Sequence, residues 1–121
     1  MQSLPNLVAG QFRQTPIFET ISIFGDVGSN PALEALLDAG ADVNFRSSIG
    51  NTPALVAASL GRFDLVYELI NRGADCSLSN DQGHDLIYFV RSKRSALNPN
   101  HELFSWLERV SAWLRDRGAG V

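Results

Sequence analysis

A block of sequence that returns after a fixed interval restricts a fold more than composition does, and this chain has one. Gly40-Ala41-Asp42-Val43-Asn44 returns as Gly73-Ala74-Asp75-Cys76-Ser77, 33 residues later. Gly50 returns as Gly83 and Gly28 as Gly61 at the same interval. The apolar residues keep step, with Leu33, Leu36 and Leu37 answering to Val66, Leu69 and Ile70. A period of this length marks stacked helix–turn–helix units, none of which can bury its apolar face alone.

The central unit shows how each element arises. Thr52-Pro53 joins a side-chain cap to a residue whose missing N–H costs nothing at the first helical position. Ala54, Val56, Ala57 and Ala58 then make a short first helix, small where units approach closely, and Gly61 ends it. A second helix is predicted over 63–71, with Leu65, Val66, Leu69 and Ile70 on one apolar face. Gly73 can take the left-handed conformation that closes a helix. An extended, turn-rich finger leads from there to the next unit.

Gly50-Asn51-Thr52-Pro53-Ala54-Leu55-Val56-Ala57-Ala58, followed by Gly61, resembles the Gly-x-Thr-Pro-Leu-His-x-Ala-Ala-x-x-Gly motif of the ankyrin family. The Gly-Ala-Asp-x-Asn ending is equally typical, while Ala54 and Leu55 stand where the family has Leu and His. The resemblance covers about residues 16–118. It implies an all-α helical solenoid of three units, at about 15–47, 48–79 and 80–118, behind an N-terminal extension over 1–14. Six paired helices are expected, with no sheet beyond short finger turns.

The outer units read as degenerate caps. The first has an expected helix over 16–27, with Phe24 where the motif prefers Ala, and Asn30-Pro31 heading its second helix. The third starts near Asn80 and replaces Thr-Pro with Asp85-Leu86, Asp85 being the cap. Gly73 to Gly118 is 45 residues, so 12 have been inserted. Residues 92–99 read as a basic loop within the insertion, ending in the helix-start signal Asn98-Pro99. The final helix is predicted over 99–117, with Leu103, Trp106, Leu107, Val110, Trp113 and Leu114 at helical spacing and both tryptophans in the core. Tyr88 is expected beneath it with Leu69 and Ile70, and Arg115, answering to Ile70, makes the outer face polar.

At 121 residues, 45% hydrophobic and 19% charged, the chain fits one folded domain. Its net charge of −3 gives no pull towards nucleic acid or anionic membrane. The charge is uneven. Residues 1–90 carry four basic and ten acidic residues, a net of −6; residues 91–121 carry six and three, a net of +3. Cys76 is alone, which excludes an internal disulfide and a cysteine-based zinc site. His84 and His101 lack a metal-ligand spacing or a nearby nucleophile, with His101 read as a first-turn surface residue. Asp42 and Asp75 recur as turn residues rather than a catalytic pair, and no phosphate-cradling glycine loop occurs. No catalytic residue, metal, cofactor, small-molecule substrate or nucleic acid is expected. No stretch is long enough to cross a bilayer. Residues 1–5 lack the basic and apolar regions of a leader, so the cytoplasm is expected, or the periplasm if a leader has been removed.

In the ankyrin family, fingers and first helices line a concave binding surface. Carried over by position, the resemblance implicates Ser48, Ile49, Asn51, Ser59 and Leu60 in the central unit. Asp81, Gln82 and His84 follow in the third unit, Asp26 and Val27 in the first. Ile49 and Leu60 are apolar where solvent is expected, which points to a covering partner. Arg91 and Arg94, with Lys93, add a basic contact for an acidic partner. The expected function is therefore non-enzymatic protein binding.

Nine Arg against one Lys, with abundant Ala and Gly, reads as a GC-rich bacterial genome. Gly61-Arg62-Phe63-Asp64-Leu65-Val66-Tyr67, Tyr88-Phe89-Val90 and a Trp-bearing last helix are similar to ankyrin proteins encoded beside bacterial secreted toxins. That likeness implies an immunity protein neutralising a cognate toxin or effector, often one delivered by a type VI or Rhs-type system. The alternative is an intracellular scaffold or regulator of a housekeeping partner.

Overall fold

A computed structural model describes residues 30–119 together with Phe18, Thr20, Ile21, Val27, Gly28 and Val121. Five helices follow in order: α1 Pro31–Asp38, α2 Pro53–Ser59, α3 Phe63–Asn71, α4 Leu86–Ala96 and α5 Glu102–Arg115. Among the described residues there is no strand. Phe18, Thr20 and Ile21 are helical, as expected of a helix over 16–27; most of that helix, Phe24, Asp26 and the 1–14 extension lie outside the described residues.

The caps explain the helix starts. The Leu33 N–H donates to Asn30 Oδ1 at 3.1 Å, Leu55 N–H to Thr52 Oγ1 at 3.3 Å and Tyr88 N–H to Asp85 Oδ1 at 3.0 Å. Each satisfies an amide that the first turn leaves unpaired. Pro31 and Pro53 occupy first-turn positions behind two of these caps.

The 33-residue period is visible in the hydrogen bonds. Ala41 N–H donates to Leu36 O and Ala74 N–H to Leu69 O, both at 3.0 Å, and Ala119 N–H repeats the closure on Leu114 O at 3.1 Å. Finger turns repeat too: Gly50 N–H meets Ser47 O and Gly83 N–H meets Asn80 O, each at 2.9 Å. Neighbouring fingers are joined by Asp75 N–H to Asn44 Oδ1 (2.8 Å), Asp81 N–H to Ile49 O (3.1 Å) and Asn80 Nδ2 to Asn51 Oδ1 (2.9 Å).

The helices form two layers. α2 packs on α3 within its unit and on α4 of the next, while α3 and α4 both pack on α5. Between the layers lie Leu55, Ala57, Ala58, Phe63, Val66, Leu69, Leu86, Val90, Leu107 and Val110, all buried. Burying each large apolar side chain contributes about 1.5–3 kcal/mol, which makes this seam the principal source of cohesion.

The third unit departs from expectation in three ways. Residues 92–96 continue α4 instead of forming a basic loop, so the insertion is partly helical and the connection shrinks to residues 97–101. α5 begins at Glu102 rather than at Pro99, and Asn98 Oδ1 accepts Asn100 N–H (2.9 Å) in a separate turn before it. His101, expected as first-turn surface, is exposed but also caps the helix, its Nδ1 accepting from Leu103 N–H at 3.1 Å. The tryptophans are half-buried at the edge of the core rather than within it. Arg109 covers Trp106 at 4.5 Å from the ring centre, and Arg117 covers Trp113 at 3.6 Å.

Candidate protein-binding surface

Three large apolar residues are exposed among those described: Ile49 at 60%, Leu60 at 53% and Tyr88 at 44%. Ile49 sits in the finger turn closed by Gly50. Leu60 is the C-terminal cap of α2, held by its N–H to Val56 O at 3.2 Å, so its side chain stands where the helix stops. Backbone bonds thus fix both positions, while their side chains are left to solvent.

Tyr88 contradicts the expectation that α5 covers it. It answers to Leu55 one period earlier, which α4 buries to 2%. No described helix covers the same face of α4, so Tyr88 stays open. His84 lies flat on it, ring centres 3.7 Å apart and planes 5° from parallel, and Phe89 meets both rings edge-on. The result is a small aromatic platform at the base of the third finger. The 33-residue comparison with Leu55 could not reveal it, because the two positions differ in what stacks on them.

The other anticipated residues divide. Ser48, Ser59, Asp81 and Gln82 are exposed, Val27 is half-buried, and Asn51 is half-buried because its side chain joins the fingers. Arg91 is exposed on α4 beside Tyr88. Arg94 instead turns to α5, where its guanidinium meets Ser111 Oγ and Glu108 Oε1. It tethers two helices.

The strongest polar device in the molecule was not anticipated. Asp64, in the first turn of α3, is buried, and its carboxylate accepts Arg62 Nε at 3.0 Å, Arg62 Nη2 at 2.9 Å and the Gly28 N–H at 2.8 Å. Burial pushes its carboxyl up, but the Arg62 bonds and the Gly28 amide override this and hold it below the usual carboxylate range. The Arg62 guanidinium is raised in turn, chiefly by its bonds to Asp64. The bond to Gly28 ties the first unit to the second. At Cys76 burial prevails: it pushes the thiol up to about 11, helped by Asp75 and only partly resisted by Arg117.

A two-layer stack of capped helix pairs, joined through hydrogen-bonded fingers and exposing apolar residues beside them, defines a helical-repeat binding protein. Residues 50–78 match the family model described as ankyrin repeat, so the chain carries an ankyrin repeat within an all-α, ankyrin-like helical-repeat fold. It is 44% identical over 67 residues to "Ankyrin repeat, SAM and basic leucine zipper domain-containing protein 1" of Ornithorhynchus anatinus, and 40% over 55 residues to the protein of that name from Echinops telfairi. Those matches cover 55% and 46% of this chain but only 14% and 12% of the relatives, so the chain spans a small part of their length. Ankyrin repeats are protein–protein interaction modules, and the repeat over residues 50–78 indicates such a module in this chain.

Proposed function

We propose that the chain holds its protein partner against the fingers and first helices, with Ile49 and Leu60 as apolar anchors and the His84–Tyr88 platform beside them. The observation that carries this reading is the exposure of Ile49 and Leu60 at positions fixed by backbone bonds. Desolvating such side chains is where interfaces gain most of their energy. The test places a photo-crosslinking residue at 49 and, separately, at 60. The native partner should be captured from both. In parallel, Ile49→Asp with Leu60→Asp should abolish binding while the melting temperature stays within experimental scatter. No capture from either position, or unchanged binding by the double variant, refutes the assignment.

Two purposes remain for such binding. The relatives combine ankyrin repeats with SAM and leucine-zipper regions in their names, which supports a scaffold or regulator that delivers one partner to a larger assembly. Toxin neutralisation is supported by the sequence likeness to bacterial immunity proteins. Co-expression with toxins encoded beside the gene separates the two, since only an immunity protein restores growth.

A further inference from the structure

On the layer opposite the fingers, α1, α3 and α5 leave a cavity of about 210 Å³. Its walls include Tyr67 and Trp106, whose ring centres are 5.9 Å apart with planes 58° from parallel. Glu34 from α1 and Glu68 from α3 supply carboxylates to its lining, and Asp64 borders it as well. Asp64 is already committed to Arg62 and the Gly28 amide, so Glu34 and Glu68 supply the available negative charge. Glu34 is exposed, and Glu68 is shared with Arg72 at 3.3 Å. The volume is below the roughly 300–1,000 Å³ of small-molecule sites and suits a single side chain.

The protein itself shows which chemistry the aromatic wall accepts. Arg109 lines the same cavity and holds its guanidinium 4.5 Å from the Trp106 ring centre. A cation at that distance is attracted by the ring quadrupole, and nearby carboxylates strengthen the preference for positive charge. The charged lining of the cavity is three carboxylates, from Glu34, Asp64 and Glu68, against one cation, Arg109, a balance that favours a basic side chain. We propose that this cavity receives an arginine side chain presented by a protein partner, which displaces Arg109 from Trp106 and pairs with Glu34 and Glu68. The site is separate from the finger surface and does not depend on it.

The test uses the full chain and a short end-capped peptide carrying one arginine, followed through the indole Nε1–H resonances of the two tryptophans. The Trp106 signal should shift saturably while that of Trp113 stays in place. Replacing the arginine by citrulline, which keeps the shape and removes the charge, should abolish the shift. Glu34→Gln with Glu68→Gln should weaken binding severalfold, and Arg109→Ala, which removes the internal competitor, should tighten it by about threefold. An unmoved Trp106, equal binding of the citrulline peptide, or weaker binding to Arg109→Ala overturns the proposal. A lysine peptide that binds as tightly as the arginine peptide overturns the assignment to a guanidinium. Loss of finger-side crosslinking leaves these readouts untouched, so failures of the two readings are distinguishable.

Discussion

Replacing Asp64 by Ala should be among the most damaging single changes available on the polar side of this fold. The substitution removes a buried carboxylate and, with it, both hydrogen bonds and the nearest counter-charge of Arg62, whose side chain is 11% exposed. It also strips the Gly28 N–H of its acceptor. Breaking a buried ion pair from one side costs about 3–5 kcal/mol, because the remaining charge stays desolvated. Against a total stability of roughly 6–18 kcal/mol for a chain of this size, that is a large fraction. Urea unfolding at neutral pH measures it. Arg62→Ala should cost a comparable amount, and the double variant should lose much less than the sum, because neither charge is then stranded. The pH dependence follows from the lowered Asp64 value. A carboxyl depressed in the folded state stabilises above its unfolded value of about 3.9, and that stability is lost as pH falls through the folded-state value. The wild-type advantage over Asp64→Ala should therefore be full at neutral pH and shrink in acid. Hydrogen exchange should localise the damage, with amides of α1 opening first, because α1 packs least on the other described helices and Asp64 is one of the ties between its unit and the next. A loss below about 1 kcal/mol, or an advantage that grows on acidification, would refute this account.

Leu107 is fully buried beneath α3, so Leu107→Ala should cost about 2–5 kcal/mol in urea unfolding. Cys76, raised to about 11 by burial, should resist alkylation in mildly alkaline buffer and react readily once urea unfolds the chain. Because its folded value lies above its unfolded one, its contribution is complete below about 9 and is lost as pH rises towards 11. Gly50 and Gly83 have matching φ of +79° and +78°, but a Cβ on Gly50 would stand 2.6 Å from Asp81 Oδ1, while one on Gly83 meets nothing within 4 Å. Gly83→Ala should then cost only the backbone strain, about 1–2 kcal/mol, and Gly50→Ala measurably more; equal losses would show that the finger contact contributes nothing.

What the sequence disclosed and what it hid follow one physical division. Features fixed by neighbours in the chain were legible: the Asn30, Thr52 and Asp85 caps, the Gly-Ala closures, and α3 over 63–71 as predicted. Ile49 and Leu60 were legible as well, since their exposure follows from where the unit turns. Features fixed by contacts across units were not. Asp64 has no counterpart one period earlier, where Pro31 stands, so nothing in the repeat marked it. Reading 92–96 as a loop gave weight to charge. Those residues are helical because they continue the helix that Leu86 and Val90 anchor in the core, and Lys93 and Arg94 fall on that same side, where Arg94 reaches Ser111 of α5.

The repeat also indicates where to look for function. A stacked array constrains each position to what its neighbours allow, so residues that recur at 33 are those the stack requires. Asp42 and Asp75 are such a pair: each accepts the amide two residues on, at 2.9 Å, and shapes a finger. Positions that break the period while remaining exposed have no such obligation. Ile49 becomes Gln82, and Leu60 becomes Lys93. Packing does not account for these choices, because a polar residue at 49 or 60 would leave the core intact and improve solvation. Their cost in exposed apolar surface is recovered when something covers them, as the binding mode proposed above requires.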